Sequence, residues 1–87
     1  MQIHEAQHGI NLVVETNDTV FIGRFDQTNG FQALLHDCAI HAIGEGEDGE
    51  EFVRTAAKYG FAVDQRDVMV DVATIQRVRV LGDIPKE

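Results

Sequence analysis

The chain is poor in several residue types, and each scarcity excludes something. It has one cysteine, Cys38, so a framework of intramolecular disulfides is impossible. Pro85 is the only proline and tryptophan is absent. Basic residues are few, 7 Lys and Arg against 15 Asp and Glu, which gives a net charge of -8. Proteins that grip nucleic acid through bulk electrostatics, or dock on anionic membranes, are usually basic, so both modes are disfavoured. A local basic patch is still compatible with this balance. No apolar run approaches the length of a membrane-spanning helix. The opening Met-Gln-Ile-His-Glu has neither the basic nor the apolar region of a signal peptide, so a cytoplasmic protein is the expectation.

What is present fits one small domain spanning 1–87. Hydrophobic residues make up 44% of the 87 positions, an ordinary globular proportion. A chain this short buries only about 60% of its unfolded surface, so its core is marginal and assembly with other copies is a natural source of stability.

Periodicity predicts the elements. Residues 1–8 read as a short arm or a frayed turn. Ile10, Leu12 and Val14 alternate with Asn11, Val13 and Glu15 as in a strand. Asn17-Asp18 marks a turn, and a β-branched, aromatic strand follows from Thr19 to Phe25, with Gly23 signalling a bend or bulge. Residues 26–30 form a second turn. A long third strand runs from Phe31 to about Ile43, with Phe31, Ala33 and Leu35 on one face and Leu34, Cys38 and Ile40 on the other.

The acidic, glycine-rich residues 44–49 break the pattern. Asp48 and Glu51 have the spacing of a capping box, followed by a helix to about Tyr59 with an apolar stripe of Phe52, Val53, Ala56, Ala57 and Tyr59 and a glycine stop at Gly60. Residues 61–63 read as a short strand and residues 64–67 as a turn. Val68, Val70 and Val72 define the next strand, residues 74–76 a corner, and residues 77–81 the last strand. The order β-β-β-α-β-β with short connections predicts a mainly β fold: a small, strongly bent, five-stranded antiparallel barrel of SH3-like or OB-like kind, with the helix, about 48–60, inserted between strands three and four. The last strand, with Arg77 and Arg79 on one face and Val78 and Val80 on the other, is suited to pair with another subunit.

Two stretches carry a family resemblance. Gly23-Arg24-Phe25-Asp26-Gln27-Thr28-Asn29-Gly30-Phe31-Gln32-Ala33-Leu34-Leu35-His36-Asp37 follows a pattern of strand glycine, Asp-containing turn, Asn and apolar strand with an acidic end, given a one-residue gap in the turn. Val70-Asp71-Val72-Ala73-Thr74-Ile75-Gln76-Arg77-Val78 keeps three aliphatic positions in register across a corner. Together they resemble the Sm/Lsm family, which includes the Hfq-type proteins. The resemblance implies a strongly bent five-stranded barrel, a homo-oligomeric ring of roughly five to seven subunits, and single-stranded RNA rather than DNA as partner, in RNA metabolism or regulation. It implies an RNA site at Asp26, Asn29, Phe31, Gln32, Asp71 and Ala73, and a subunit interface at Val70, Val72, Val78, Val80, Arg77 and Arg79. The sequence departs from the family where its RNA-binding Arg falls on Asp71, its Gly on Val72 and its first Asn on Ala73. The Lys-His signature of the Hfq type is absent.

Each candidate residue also has an ordinary structural role. Phe31 suits base stacking, which is sequence-tolerant, but reads first as a strand-opening core position. Asp26 and Asn29 are standard turn residues. Arg24, Arg77 and Arg79 can meet phosphates or make ion pairs with Asp71 or Asp37. His4 and His8 are spaced as two ligands on a helix, yet nothing completes a metal set, and the odd offset of His36 and His41 places them on opposite strand faces. The acidic run Glu45, Glu47, Asp48, Glu50 and Glu51 lacks calcium-loop spacing. Cys38 reads as a buried, inert thiol. No nucleophile elbow, phosphate loop or dinucleotide fingerprint occurs, so neither catalysis nor a cofactor is expected. The competing reading is a ring or barrel without RNA binding, acting as a protein-interaction or structural module, such as a phage-type accessory protein.

Overall fold

A computed structural model describes residues 1–47 and 49–85. The element order is β1 (Asn11–Glu15), β2 (Thr19–Thr28), β3 (Gln32–Ala42), α1 (Glu50–Tyr59), β4 (Gln65–Asp71) and β5 (Arg77–Val80). Three short 3₁₀ turns sit at Ile3–Glu5, Val72–Thr74 and Leu81–Asp83. All strand pairs are antiparallel, and the sheet order is β4-β3-β2-β1-β5. The fold is therefore mainly β with one helix, as the sequence predicts. Closure into a barrel is not seen: β4 and β5 are the two edges of the sheet, joined through the 3₁₀ turn at Val72–Thr74 rather than by a ladder.

The sheet has a core on each face. The inner one holds Leu12, Val14, Phe25, Ala33, Leu35, Cys38, Val68, Val70 and Val78, and Ile3 of the first 3₁₀ turn plugs into it. The outer one holds Val13, Val20, Ile22 and Ala39 beneath Val53 and Ala56 of α1, with Ile84 beside them. Leu12, Val13 and Val14 of β1 are accordingly all buried. This run reads as a half-buried strand by alternation, but α1 covers the face that would otherwise meet water. Tyr59, grouped with the apolar stripe of the helix, is exposed instead.

The helix starts at Glu50. Gly49, at its N-cap with φ 76°, supplies the carbonyl that accepts from Val53 N–H at 3.1 Å. That left-handed geometry favours glycine, and a Cβ there would lie 2.8 Å from Val20 Cγ2. The capping role expected of Asp48 lies outside the described residues. At the other end Gly60, also at positive φ, donates its N–H to Ala56 O at 2.9 Å.

Strand β3 bends where it crosses Gly23 of β2. Ile22 pairs with Ala39 and Arg24 with His36, so Gly23 alone faces both Asp37 and Cys38. Asp37 takes the extra position of this bulge with φ 51°, and its carboxylate receives Arg24 Nη1–H at 3.0 Å. A Cβ on Gly23 would sit 2.3 Å from Cys38 Sγ and 2.9 Å from His36 O. The bulge reverses the side-chain alternation. Cys38 and Ile40 therefore join Ala33 and Leu35 on the inner side rather than opposing them. For the same reason His36 and His41, expected on opposite faces, both point outward.

Other boundaries shift as well. β2 extends to Thr28, because a second irregularity between Phe25 and Gln27 keeps it paired with β3 beyond Asp26. Residues 61–63 form no strand. β4 begins at Gln65 instead of Val68, just after Asp64 ties to β3: Asp64 N–H donates to Cys38 O at 2.7 Å and Ile40 N–H donates to Asp64 Oδ2 at 2.8 Å.

Val70 and Val78, both expected at a subunit interface, are each 3% exposed within this chain's own core. Their side chains are occupied by the fold, so a partner on β4 or β5 would have to use the backbone edges or exposed side chains such as Met69 and Arg77.

Two outcomes follow. Gly23→Ala destabilises the chain by about 1–3 kcal/mol in urea denaturation, since backbone on β3 must move to admit the methyl. Val78→Asp buries an unpaired carboxylate and costs more than about 3 kcal/mol, so circular dichroism reports loss of folding rather than of assembly alone.

Candidate nucleic-acid interface

The expected RNA-site residues divide into two groups. Phe31, Gln32, Asp71 and Ala73 lie at one end of the sheet, where β3 begins and β4 ends. Gln32 and Asp71 are direct partners in the β3–β4 ladder, and Gln32 Nε2 lies 3.5 Å from Asp71 Oδ1. Ala73 sits in the 3₁₀ turn after β4, which Thr74 closes by donating its hydroxyl to Asp71 O at 2.7 Å.

Asn29 builds this end. Its Oδ1 accepts from Phe31 N–H at 2.9 Å and Gln32 N–H at 2.8 Å, an Asx-type arrangement that orders the β2–β3 turn. Phe31 O accepts from Val72 N–H at 2.9 Å. Both backbone groups of Phe31 are thus held, yet its residue is 81% exposed. The alternative reading of Phe31 as a core residue is excluded. Met69, on β4, is also half exposed near this end.

Asp26 belongs elsewhere. Its carboxylate contacts His36 Nε2 at 2.7 Å, and His8 Nδ1 lies 2.9 Å from Asp26 O and 3.3 Å from its Oδ1. The hydrogen bond from His36 holds the Asp26 carboxyl below the usual carboxylate range.

Arg77 and Arg79 are not free to meet phosphates without cost. Arg77 Nε donates to Glu15 Oε2 at 2.6 Å, and its Nη2 donates to Glu50 Oε1 at 2.7 Å. Arg79 Nη2 donates to Glu15 Oε2 at 3.1 Å and also bonds Glu50. Glu15, only 6% exposed, is satisfied by these two guanidinium groups, and Glu50 uses them to fasten the start of α1 to β5. Hydrogen bonding to Glu15 raises the Arg77 pKa, and that to Arg79 lowers the Glu50 pKa. Sequence reasoning missed this network because Glu15 and Glu50 are remote from β5 in the chain.

Cys38 is buried, and desolvation together with the neighbouring Asp37 pushes its thiol up to about 11, the behaviour of an unreactive side chain. His41 stacks on Phe52 of α1 at 4.7 Å between ring centres and contacts Glu47 at 2.9 Å. Among the described residues no group of three His, Cys, Asp or Glu side chains is arranged to hold a metal ion. No helix among them is long and apolar enough to cross a membrane.

The chain matches no protein-family model and no curated protein.

Phe31→Ala leaves stability within about 0.5 kcal/mol of the parent, as expected for so exposed a side chain. Asn29→Ala loses two turn hydrogen bonds and costs about 1–2 kcal/mol. Paired urea melts of the two variants check the difference.

Proposed function

We propose that this chain is a divergent Sm-like module that assembles edge to edge into a homo-oligomeric ring and binds short single-stranded RNA, without catalysing a reaction. The observation that carries the reading is Phe31. An aromatic ring is held on a fully bonded backbone and left 81% exposed, beside the carboxamide of Gln32. An exposed ring is a stacking platform for a base, worth about 1–3 kcal/mol per base, and a carboxamide can read a base edge. Support for assembly comes from the open sheet, whose β4 and β5 edges each have one strand partner among the described residues. Pairing β4 of one copy with β5 of the next is a head-to-tail contact, and such contacts close into rings when the rotation allows. In this reading the bent sheet and the paired edges together make the barrel-like unit, and the setting is cytoplasmic.

A second reading is favoured by charge. The net charge of -8, Asp71 beside Gln32, and the engagement of Arg77 and Arg79 by Glu15 and Glu50 all weaken attraction for phosphates. The same surface would then serve as a protein-interaction or structural module.

Light scattering after size exclusion, with fluorescence anisotropy of labelled oligouridine and oligoadenine, tests both. A mass of roughly five to seven subunits, with binding that Phe31→Ala weakens about 5-fold or more, supports the RNA-binding ring. The ring mass with no binding at low salt favours the second reading. A mass of one 9.7 kDa subunit removes the ring.

A further inference from the structure

One titratable cluster outside the Phe31 end joins three strands and the segment before β1. His36 of β3 stands between Asp26 of β2 and Asp67 of β4. Its Nε2 lies 2.7 Å from Asp26 Oδ2, and its Nδ1 lies 2.8 Å from Asp67 Oδ1. His8 approaches Asp26 from the N-terminal segment. Arg24 of β2, the ladder partner of His36, is paired to Asp37 of β3 at 3.0 Å. Arg66 of β4 adjoins Asp67 in sequence but falls on the other side of its strand by alternation. Two carboxylates, Asp26 and Asp67, thus face His36, with His8 on Asp26, while Asp37 is engaged by Arg24.

A neutral imidazole has one N–H and one bare lone pair. A bare nitrogen at 2.7 or 2.8 Å from a carboxylate oxygen would set lone pair against lone pair. Both contacts attract only when both ring nitrogens carry protons. We infer that His36 is held as an imidazolium that staples the edge strand β4 to β2 across β3, and that the staple opens when His36 loses its proton. Among the described residues β3 is the only ladder partner of β4, and this side-chain tie adds a polar link from β4 to β2 beside the apolar packing of Val68 and Val70. The attachment of β4 therefore weakens as pH rises through the His36 midpoint. Neither RNA binding nor ring formation is required for this device.

The titration has a definite sign. Hydrogen bonds to Asp26 first, then Asp67, raise the His36 pKa above its ordinary value. A raised folded-state value means the stabilisation is fully present below the unfolded histidine value of about 6.5 and is lost as pH climbs through the folded one. For Asp26, whose pKa is lowered, the contribution is present above the unfolded carboxylate value of about 3.9 and is lost as pH falls through the folded one. The staple holds between these limits.

Proton NMR of the histidine rings across a pH series, on the parent chain and on Asp67→Asn and Asp26→Asn, tests the inference. The His36 midpoint is expected above about 6.5 in the parent and lower in both variants. The parent should also melt higher than Asp67→Asn in mildly acidic buffer, with the gap closing as pH passes the His36 midpoint. A parent midpoint at or below about 6.5, a midpoint unmoved by Asp67→Asn, or a melting gap constant across pH would each overturn the inference. Asp67 is 74% exposed on its side chain, so its variant folds and decides the matter even if Asp26→Asn does not.

Discussion

The close approach of β3 to β2 at Gly23 is the constraint on which the rest of the sheet depends. Only a residue without a Cβ lets Cys38 Sγ and His36 O come so near. The contact bends β3 and forces Asp37 into a left-handed bulge position, which shifts the alternation of everything after it. Leu35 and Cys38 can then fill one core together, while Ala39 turns to the other. Two small cores on opposite faces result, and β1 is sandwiched between them.

This two-faced arrangement explains how a short chain finds enough apolar burial. A single-faced sheet of this length would leave Val13, Val20 and Ile22 in water. The inserted helix covers them with Val53 and Ala56, and the ion network of Glu15, Glu50, Arg77 and Arg79 fastens its first turn to β5. Charge on this chain is thus used largely for internal tethering. Arg77 and Arg79 are the arginines that hold the helix down, so removing either charge would loosen the fold as well as change the local potential.

The polar residues of the β2–β3 turn serve the same economy. Asn29 orders the chain that presents Phe31, and Asp26 turns away to His36. A motif that runs continuously in sequence is therefore split in space into an apolar tip and a titratable patch on the outer face of the sheet. The split follows from the second irregularity of β2, which carries the strand past Asp26 before the turn begins.

The sequence by itself determined the five strands of the sheet, the single helix and their order, though not the strand boundaries or the absence of a strand at 61–63, because alternation, helical spacing and turn residues are local signals. The apolar character of Leu12, Val14, Val70 and Val78, the bend at Gly23 and the stop at Gly60 were legible in the same way. Of the candidate site, the turn role of Asn29 was legible, since its side chain bonds its own neighbours. Only the tertiary structure decided that Phe31 is exposed, that Val70 and Val78 are spent on the core, that His36 and His41 share a face, and that Arg77 and Arg79 are neutralised by Glu15 and Glu50. Each of these rests on a bulge, on a helix laid over the sheet or on partners far apart in the chain, and no local pattern records such contacts.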